Sequence, residues 1–146
     1  VLEVLSRNKQ FLIHNRVCVH TDSISDFVYS DSKWLGFIIN QIIFNSIKYC
    51  SDKSPIIQIK SKDMGDYVTL SITDNGIGIK SSEVSRVFDK GFVGSNGRMR
   101  KKSTGIGLYL CDKLCLKLGI GIDIESEVGC YTTVLLHFPK SNHLNV

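Results

Sequence analysis

The sequence lacks several things, and each lack narrows its class. No apolar run approaches the roughly 18–20 residues that a membrane span needs, so no transmembrane segment is expected within it. No secretory signal opens it. Position 1 is Val1 rather than methionine, so the expectation is a piece of a longer chain, with any membrane segment upstream. There are no repeats, no low-complexity runs and no interdomain linker, so residues 1–146 read as a single domain large enough for its own core. Paired Cys-x-x-Cys is absent. The five cysteines, Cys18, Cys50, Cys111, Cys115 and Cys130, are odd in number, and Cys111 and Cys115 have helical spacing. They read as small core residues in a reducing compartment rather than as a zinc site. His14 with Cys18 would supply only two metal ligands, and His14 is expected at the surface.

Charge of one sign is also missing. Eighteen Lys and Arg face 14 Asp and Glu, and the whole net charge of +4 lies between Asp89 and Ser103. There Lys90, Arg98, Arg100, Lys101 and Lys102 oppose only Asp89. A nucleic-acid binder spreads basic residues over a face with aromatics interleaved, so no nucleic-acid partner is expected. A local basic loop fits a small polyanion such as a triphosphate, or a plain solvated loop.

The commoner catalytic signatures are absent too. Gly76-Ile77-Gly78 and Gly105-Ile106-Gly107 both lack the third glycine of a dinucleotide fingerprint. There is no Gly-Lys-Ser/Thr, no His-Arg-Asp loop, no Gly-x-Ser-x-Gly elbow and no His-Glu-x-x-His.

What is present reads as alternating helices and strands. Residues 1–8 read as the tail of a preceding helix. Phe11 to Ile13 and Arg16 to His20 read as a strand or hairpin, followed by a polar turn at Asp22 to Asp26 and an extended piece at Phe27 to Ser30. A long helix is predicted over Asp31 to Cys50, capped by Asp31 or Ser32, with Trp34, Leu35, Ile38, Ile39, Ile42, Ile43 and Ile47 as its apolar stripe. Strands follow at Ile56 to Lys62 and Tyr67 to Asp74, paired as an antiparallel hairpin. A short helix capped by Ser81 or Ser82 runs through Val87 and Phe88. A second long helix, capped by Ser103 or Thr104, covers Gly105 to Leu118, where Gly119 stops it. Its Leu108, Cys111, Leu114, Cys115 and Leu118 are expected to face the sheet. A closing hairpin joins Ile120 to Glu127 with Tyr131 to Phe138, and residues 139–146 form a polar tail.

Three features carry chemistry. Asp74 continues the inward phase of Val68, Leu70 and Ile72, so its carboxylate should point to the core and need a donor. The Gly76 and Gly78 turn behind it allows close backbone approach, although such a turn is also a plain strand exit. Gln41, Asn45 and Lys48 share one helix face. A neutral carboxamide with a lysine one turn on suits a hydrated Mg²⁺ and a phosphate; the row also fits a solvent-facing side. Gly105 and Gly107 open backbone N–H groups to an anion at a helix N-terminus.

Together these residues form four ordered elements. Asn45-Ser46-Ile47-Lys48-Tyr49, Asp74-Asn75-Gly76-Ile77-Gly78, Arg86-Val87-Phe88-Asp89-Lys90-Gly91-Phe92 and Thr104-Gly105-Ile106-Gly107-Leu108 occur in that sequence. Their order and spacing resemble the N, G1, F and G2 boxes of the ATP-binding domain of bacterial sensor histidine kinases, within the GHKL superfamily. The resemblance covers about Leu2 to Phe138. The wording around Lys90 to Arg98 looks most like the subgroup that senses envelope-targeting antimicrobial peptides.

That resemblance implies an α/β fold, a two-layer Bergerat sandwich with a mixed, mostly antiparallel sheet packed on three helices. It implies ATP and Mg²⁺ as cofactors, with residues 89–103 as an ATP lid. Carried over, Asp74 would accept from the adenine amino group, and Gly76, Gly78, Ile79 and Phe88 would shape the pocket. Asn45 would hold Mg²⁺, with Lys48 and Tyr49 near the phosphates or ribose. Thr104, Gly105, Ile106, Gly107 and Leu108 would meet the phosphates, and Arg98, Lys101 and Lys102 would close over them. Thr132 would lie near adenine, in a motif reading Gly129-Cys130-Tyr131-Thr132 with tyrosine in place of a second glycine.

In ATP-hydrolysing relatives a glutamate activates water four residues before the metal asparagine. Here that position is Gln41, whose amide takes up no proton near neutral pH. Transfer to a histidine is therefore expected over hydrolysis, with Gln41, Asn45 and Lys48 as the catalytic set. His14, His20, His137 and His143 lack the sequence context of a phosphoacceptor, so the acceptor is expected upstream of Val1. The isolated chain should bind ATP without labelling itself. The implied partners are a phosphoacceptor histidine domain of the same protein, homodimeric at full length, and a response regulator. The implied location is the cytoplasmic face of the bacterial membrane, with no direct membrane contact by this segment. A GHKL-type ATPase, an anti-sigma-factor serine kinase and a nucleotide-binding module without chemistry are the other readings.

Overall fold

The chain folds as an open five-stranded sheet with its helices on one face. The structure is a computed structural model that describes residues 1–94 and 105–140, apart from the side chain of Asp22. In chain order the elements are α1 (Leu2–Arg7), α2 (Lys9–His14), β1 (Cys18–Ser23), α3 (Ser32–Tyr49), β2 (Ile56–Asp63), β3 (Tyr67–Asp74), α4 (Ser81–Val84), α5 (Gly107–Leu118), β4 (Gly121–Glu127) and β5 (Tyr131–Pro139). The strand order is β1-β2-β3-β5-β4. Strands β1 and β2 are parallel because α3 carries the chain across between them. All other pairs are antiparallel. Strand β4 takes the outer edge and β5 returns between it and β3, which sets Thr132 directly opposite Asp74.

The core lies between the sheet and α3 with α5. Ile38, Ile42 and Ile43 of α3 meet Ile57, Ile59 and Ile72 of the sheet, all at most 1% exposed. Each such side chain stabilises the fold by about 1.5–3 kcal/mol relative to exposure. Trp34, at the start of the expected stripe, is 43% exposed instead. Asp31 rather than Ser32 caps α3, its Oδ1 accepting from Trp34 N at 3.0 Å. Gly119, at φ 71°, ends α5.

Several expectations are corrected. Phe11 to Ile13 lie in helix α2, not in a strand. Three adjacent apolar residues carry no readable period. Val4 and Leu12 are buried on one side of α1 and α2, and Phe11 stacks on Phe44 of α3 at 5.4 Å. Asn8 at the joint donates to Val4 O at 2.8 Å and to Asn40 Oδ1 at 2.7 Å, which fixes the pair on α3. Strand β1 then starts at Cys18 and runs on through Ser23, into the expected turn. Phe27 to Ser30 form no strand; that segment follows an anchor in which Ser61 Oγ donates to Asp26 Oδ2 at 2.6 Å.

Helix α4 is only four residues long and has Lys80, not a serine, at its cap position. Beyond it the chain continues in i→i+3 turns, with Val87 N donating to Val84 O and Phe92 N to Asp89 O, which bury Val87. Helix α5 starts at Gly107, with Ile106 at the cap position and no side-chain cap. Gly105 has φ 68° and so lies outside the helix. The helical layer holds five helices among the described residues rather than three: two long ones and three short. Cys50, Cys111 and Cys115 are buried, but Cys18 and Cys130 are exposed, the first on edge strand β1 and the second in the β4–β5 turn. Burial pushes the Cys111 thiol up to about 12 and the Cys115 thiol up to about 11, so both stay protonated and inert at neutral pH.

Candidate functional site

A cleft opens between α3, the β3–α4 loop and the start of α5. Its walls are mainly apolar, with Ile42, Ile79, Val87, Phe92 and Leu108 among them, and a few polar groups sit at its two ends.

At one end is Asp74, the last residue of β3 and 4% exposed. Its Oδ1 accepts from Gly76 N at 2.9 Å, the one hydrogen bond of this carboxylate among the described residues. Burial pushes its pKa up to about 7, and the Gly76 amide opposes that rise only partly. A carboxylate at the wall of an apolar cleft with so few donors has lone pairs left to accept a further hydrogen bond. Thr132 lines the same end.

The glycines that flank Asp74 are demanded by the protein's own backbone. A Cβ on Gly76 would overlap the carbonyl oxygen of Tyr49, the last residue of α3, which also accepts from Ile77 N at 3.1 Å. A Cβ on Gly78 would overlap the backbone of Glu127, the last residue of β4. The turn is thus clamped between α3 and the closing hairpin, and Gly129 N donates to Ile77 O at 2.9 Å. Gly78 and Ile79 line the cleft; Gly76 does not.

At the other end are Asn45, Gly105, Gly107 and Leu108. The first helical bond of α5 is Leu110 N to Ile106 O, so the amides of Gly107, Leu108 and Tyr109 lie in the first turn, which offers them no intrahelical acceptor. A Cβ on Gly105 would sit 2.5 Å from Gly91 C and Phe92 O, and Gly91 N donates to Gly105 O at 3.1 Å. The two ends of the basic stretch are therefore pinned together at its base. A Cβ on Gly107 would lie 3.1 Å from Gln41 Oε1, which puts Gln41 against the start of α5.

Among the residues singled out from sequence, the cleft is lined by Asn45, Tyr49, Asp74, Gly78, Ile79, Gly105, Gly107, Leu108 and Thr132. Gln41, Lys48, Phe88 and Ile106 are not part of the lining; Lys48 Nζ lies 5.3 Å from the Tyr49 ring centroid. Val87, Phe92 and Val93, which lie in and beyond the i→i+3 turns after α4, line the wall where Phe88 was expected. Arg98, Lys101, Lys102 and Thr104 lie outside the described residues.

Sequence reasoning missed Ser46, Glu83 and Ser126. Ser46 is 4% exposed and lines the cleft; its signal was a small hydroxyl four residues after Ile42 within an apolar stripe. Glu83 lines the cleft from α4. Ser126 supports Thr132, and its signal was its inward phase after Ile122 and Ile124.

The sequence pattern of the family described as "Histidine kinase-, DNA gyrase B-, and HSP90-like ATPase" matches residues 30–142. The chain belongs to this family. Membership in this ATPase family implies use of a nucleotide. Among relatives, the sensor protein BceS of Bacillus subtilis (strain 168) is 44% identical over 115 residues, which cover 79% of this chain and 34% of BceS. The sensor histidine kinase YxdK of the same organism is 38% identical over 136 residues, 92% of this chain and 42% of YxdK. The chain thus spans between a third and a half of the length of these curated relatives. The fold is that of the mycobacterial sensor histidine kinase MprB, at TM-score 0.81 and 20% identity over 94% of each chain. The catalytic domain of histidine kinase ThkA matches at TM-score 0.77 and 23% identity over 94% of this chain and 90% of its own. Like those domains, this member of the histidine kinase-like ATPase family keeps an open, mixed sheet under one helical layer.

Proposed function

We propose that this chain is the ATP-binding catalytic domain of a two-component sensor histidine kinase, delivering the ATP γ-phosphate to a histidine on another domain of the same protein. The observation that carries this reading is the polarity of the cleft. Asp74, a buried carboxylate that accepts only the Gly76 amide among the described residues, stands at one end, and the first-turn amides of α5, which have no intrahelical acceptor, stand at the other. An adenine amino group satisfies the first, and phosphate oxygens satisfy the second.

The donors also fit Mg²⁺. Asn45 offers a neutral oxygen to the phosphate end, and no group of three or more His, Cys, Asp or Glu side chains among the described residues could hold a metal unaided. That set suits an ion carried mainly by phosphate and water. Bound there, Mg²⁺ would neutralise charge on the phosphate oxygens. Asn45 would orient it, the α5 amides would hold the phosphates, and the apolar walls would exclude water from the base. Gln41, against the start of α5, has no basic atom with which to activate water, so transfer is favoured over hydrolysis.

None of the described histidines lines the cleft. His14 and His20 are exposed, and His137 lies on the outer sheet face, bonded to Thr69 and Asp123. The acceptor therefore belongs to a partner domain, the full-length protein acts as a homodimer, and the phosphate passes on to a response regulator. The proposed location is the cytoplasmic face of the bacterial membrane; no helix among the described residues is long and apolar enough to cross one. The test uses γ-phosphate-labelled ATP. The full-length protein should label itself, and Asn45→Asp should abolish that labelling. The isolated chain should bind ATP and stay unlabelled. Efficient self-labelling of the isolated chain, or unchanged labelling in the Asn45 variant, overturns the reading.

A further inference from the structure

We propose that Ser126, which does not line the cleft, is a positioning residue that makes the base end of the cleft accept hydrogen bonds only, and so selects a 6-aminopurine over a 6-oxopurine. The inference rests on the nucleotide reading above and deepens it.

Ser126 Oγ makes three hydrogen bonds. Ile79 N donates to it at 2.8 Å, the Tyr131 carbonyl oxygen lies at 2.8 Å, and Thr132 Oγ1 lies at 2.8 Å. A serine hydroxyl has one proton and two lone pairs. The Ile79 amide takes one lone pair. A carbonyl oxygen can only accept, so the serine proton goes to Tyr131 O. The remaining bond then requires Thr132 to be the donor. All three valences of Ser126 are filled in this one assignment.

Thr132 thereby loses the freedom that a threonine hydroxyl ordinarily has to donate or accept. Its proton faces Ser126, so its hydroxyl has only lone pairs to offer a group in the cleft that Thr132 lines. Thr132 pairs directly with Asp74 across β3 and β5 and shares its inner face. Two acceptor oxygens thus stand side by side at the base end. An exocyclic amino group meets them with two N–H donors. A 6-oxo group brings a third acceptor in place of the amino donors, and the one N–H that a 6-oxopurine has beside it, on N1, can satisfy at most one of the protein's two. Ser126 also ties this pair to the Gly76–Ile79 turn through Ile79 N, so the base wall and the polarity of Thr132 are set by one side chain.

The test is titration of the chain with ATP and with inosine triphosphate, which puts oxygen in place of the 6-amino group. Wild type should bind ATP far more tightly. In Ser126→Ala the Thr132 hydroxyl is released to donate to the 6-oxo group. The ratio of the two dissociation constants should then fall at least about tenfold. Ser126→Thr, which keeps the hydroxyl, should restore it. Thr132→Val should narrow the ratio as Ser126→Ala does, which keeps the test open if the Ser126 variant does not fold. An unchanged ratio in either variant, or a uniform weakening of both nucleotides in Ser126→Ala, overturns the proposal and leaves the ATP site intact. A wild-type chain that binds neither nucleotide overturns the functional reading together with it.

Discussion

Replacing Asp74 by asparagine should move stability and binding in opposite directions. Folding buries the carboxylate to 4% exposure and raises its pKa from the ordinary 3.8 to about 7. At about 1.4 kcal/mol per pH unit, that rise corresponds to up to about 4 kcal/mol. The sign follows from linkage. The folded state holds the proton more tightly than the unfolded chain, so the stability that Asp74 contributes is fully present below pH 3.8 and is lost as pH rises from there through about 7. Asparagine keeps an oxygen for Gly76 N and carries no charge. At pH 8 without nucleotide, Asp74→Asn should therefore melt higher, by up to about 10 °C for a chain of this size. At pH 4 the advantage should vanish. ATP affinity should fall at least about 100-fold, because an amide N–H₂ facing the adenine amino group sets donor against donor. In wild type, a ligand donor favours the ionised carboxylate, so ATP binding should tighten from pH 6 to pH 8 and release protons. Thermal melts at both pH values and calorimetric titration in two buffers read all of this. An Asn variant no more stable than wild type at pH 8, with ATP affinity unchanged, would refute the reasoning.

Other substitutions test the scaffold and the chemistry. Gly76→Ala should destabilise the fold by more than about 3 kcal/mol in a denaturant melt, because its Cβ overlaps the Tyr49 carbonyl oxygen rather than a movable side chain. Gly105→Ala combines a positive φ with a clash on Gly91 and Phe92, so it should cost about 1–3 kcal/mol and weaken phosphate binding more than adenosine binding. Gln41→Glu places a carboxylate against the start of α5 and should raise slow ATP hydrolysis in a phosphate-release assay; an unchanged rate would separate Gln41 from the chemistry.

The parts of the fold legible in the sequence were those with long, single-period patterns. Helix α3 announced itself through its isoleucine stripe and the Asp31 cap, and β3 through the alternation that ends at Asp74. The N-terminal segment was misread because Phe11-Leu12-Ile13 fits either period, and what decides it, the stacking on Phe44 and the Asn8–Asn40 bond, is tertiary. The start of α5 was placed early because glycine spacing alone does not reveal that Gly105 adopts a left-handed turn against Gly91. In the site, the inward position of Asp74 followed from phase, whereas of the helical row Gln41, Asn45 and Lys48 only Asn45 lines the cleft. The wall formed by Val87, Phe92 and Val93 was not legible, since an irregular run of turns carries no period. Ser126 was invisible for another reason: its role is a three-way bond to Ile79, Tyr131 and Thr132, separated from it by up to 47 positions.

The most direct measurement is backbone amide chemical-shift mapping of the chain during titration with Mg²⁺-ATP. Saturable shifts are predicted at Ile77 to Ile79 and Thr132 for the base, and at Asn45 and Gly105 to Leu108 for the phosphates, with the outer sheet face around Thr69, Asp123 and His137 unmoved. Shifts confined to that outer face, or none at either end of the cleft, would contradict the account.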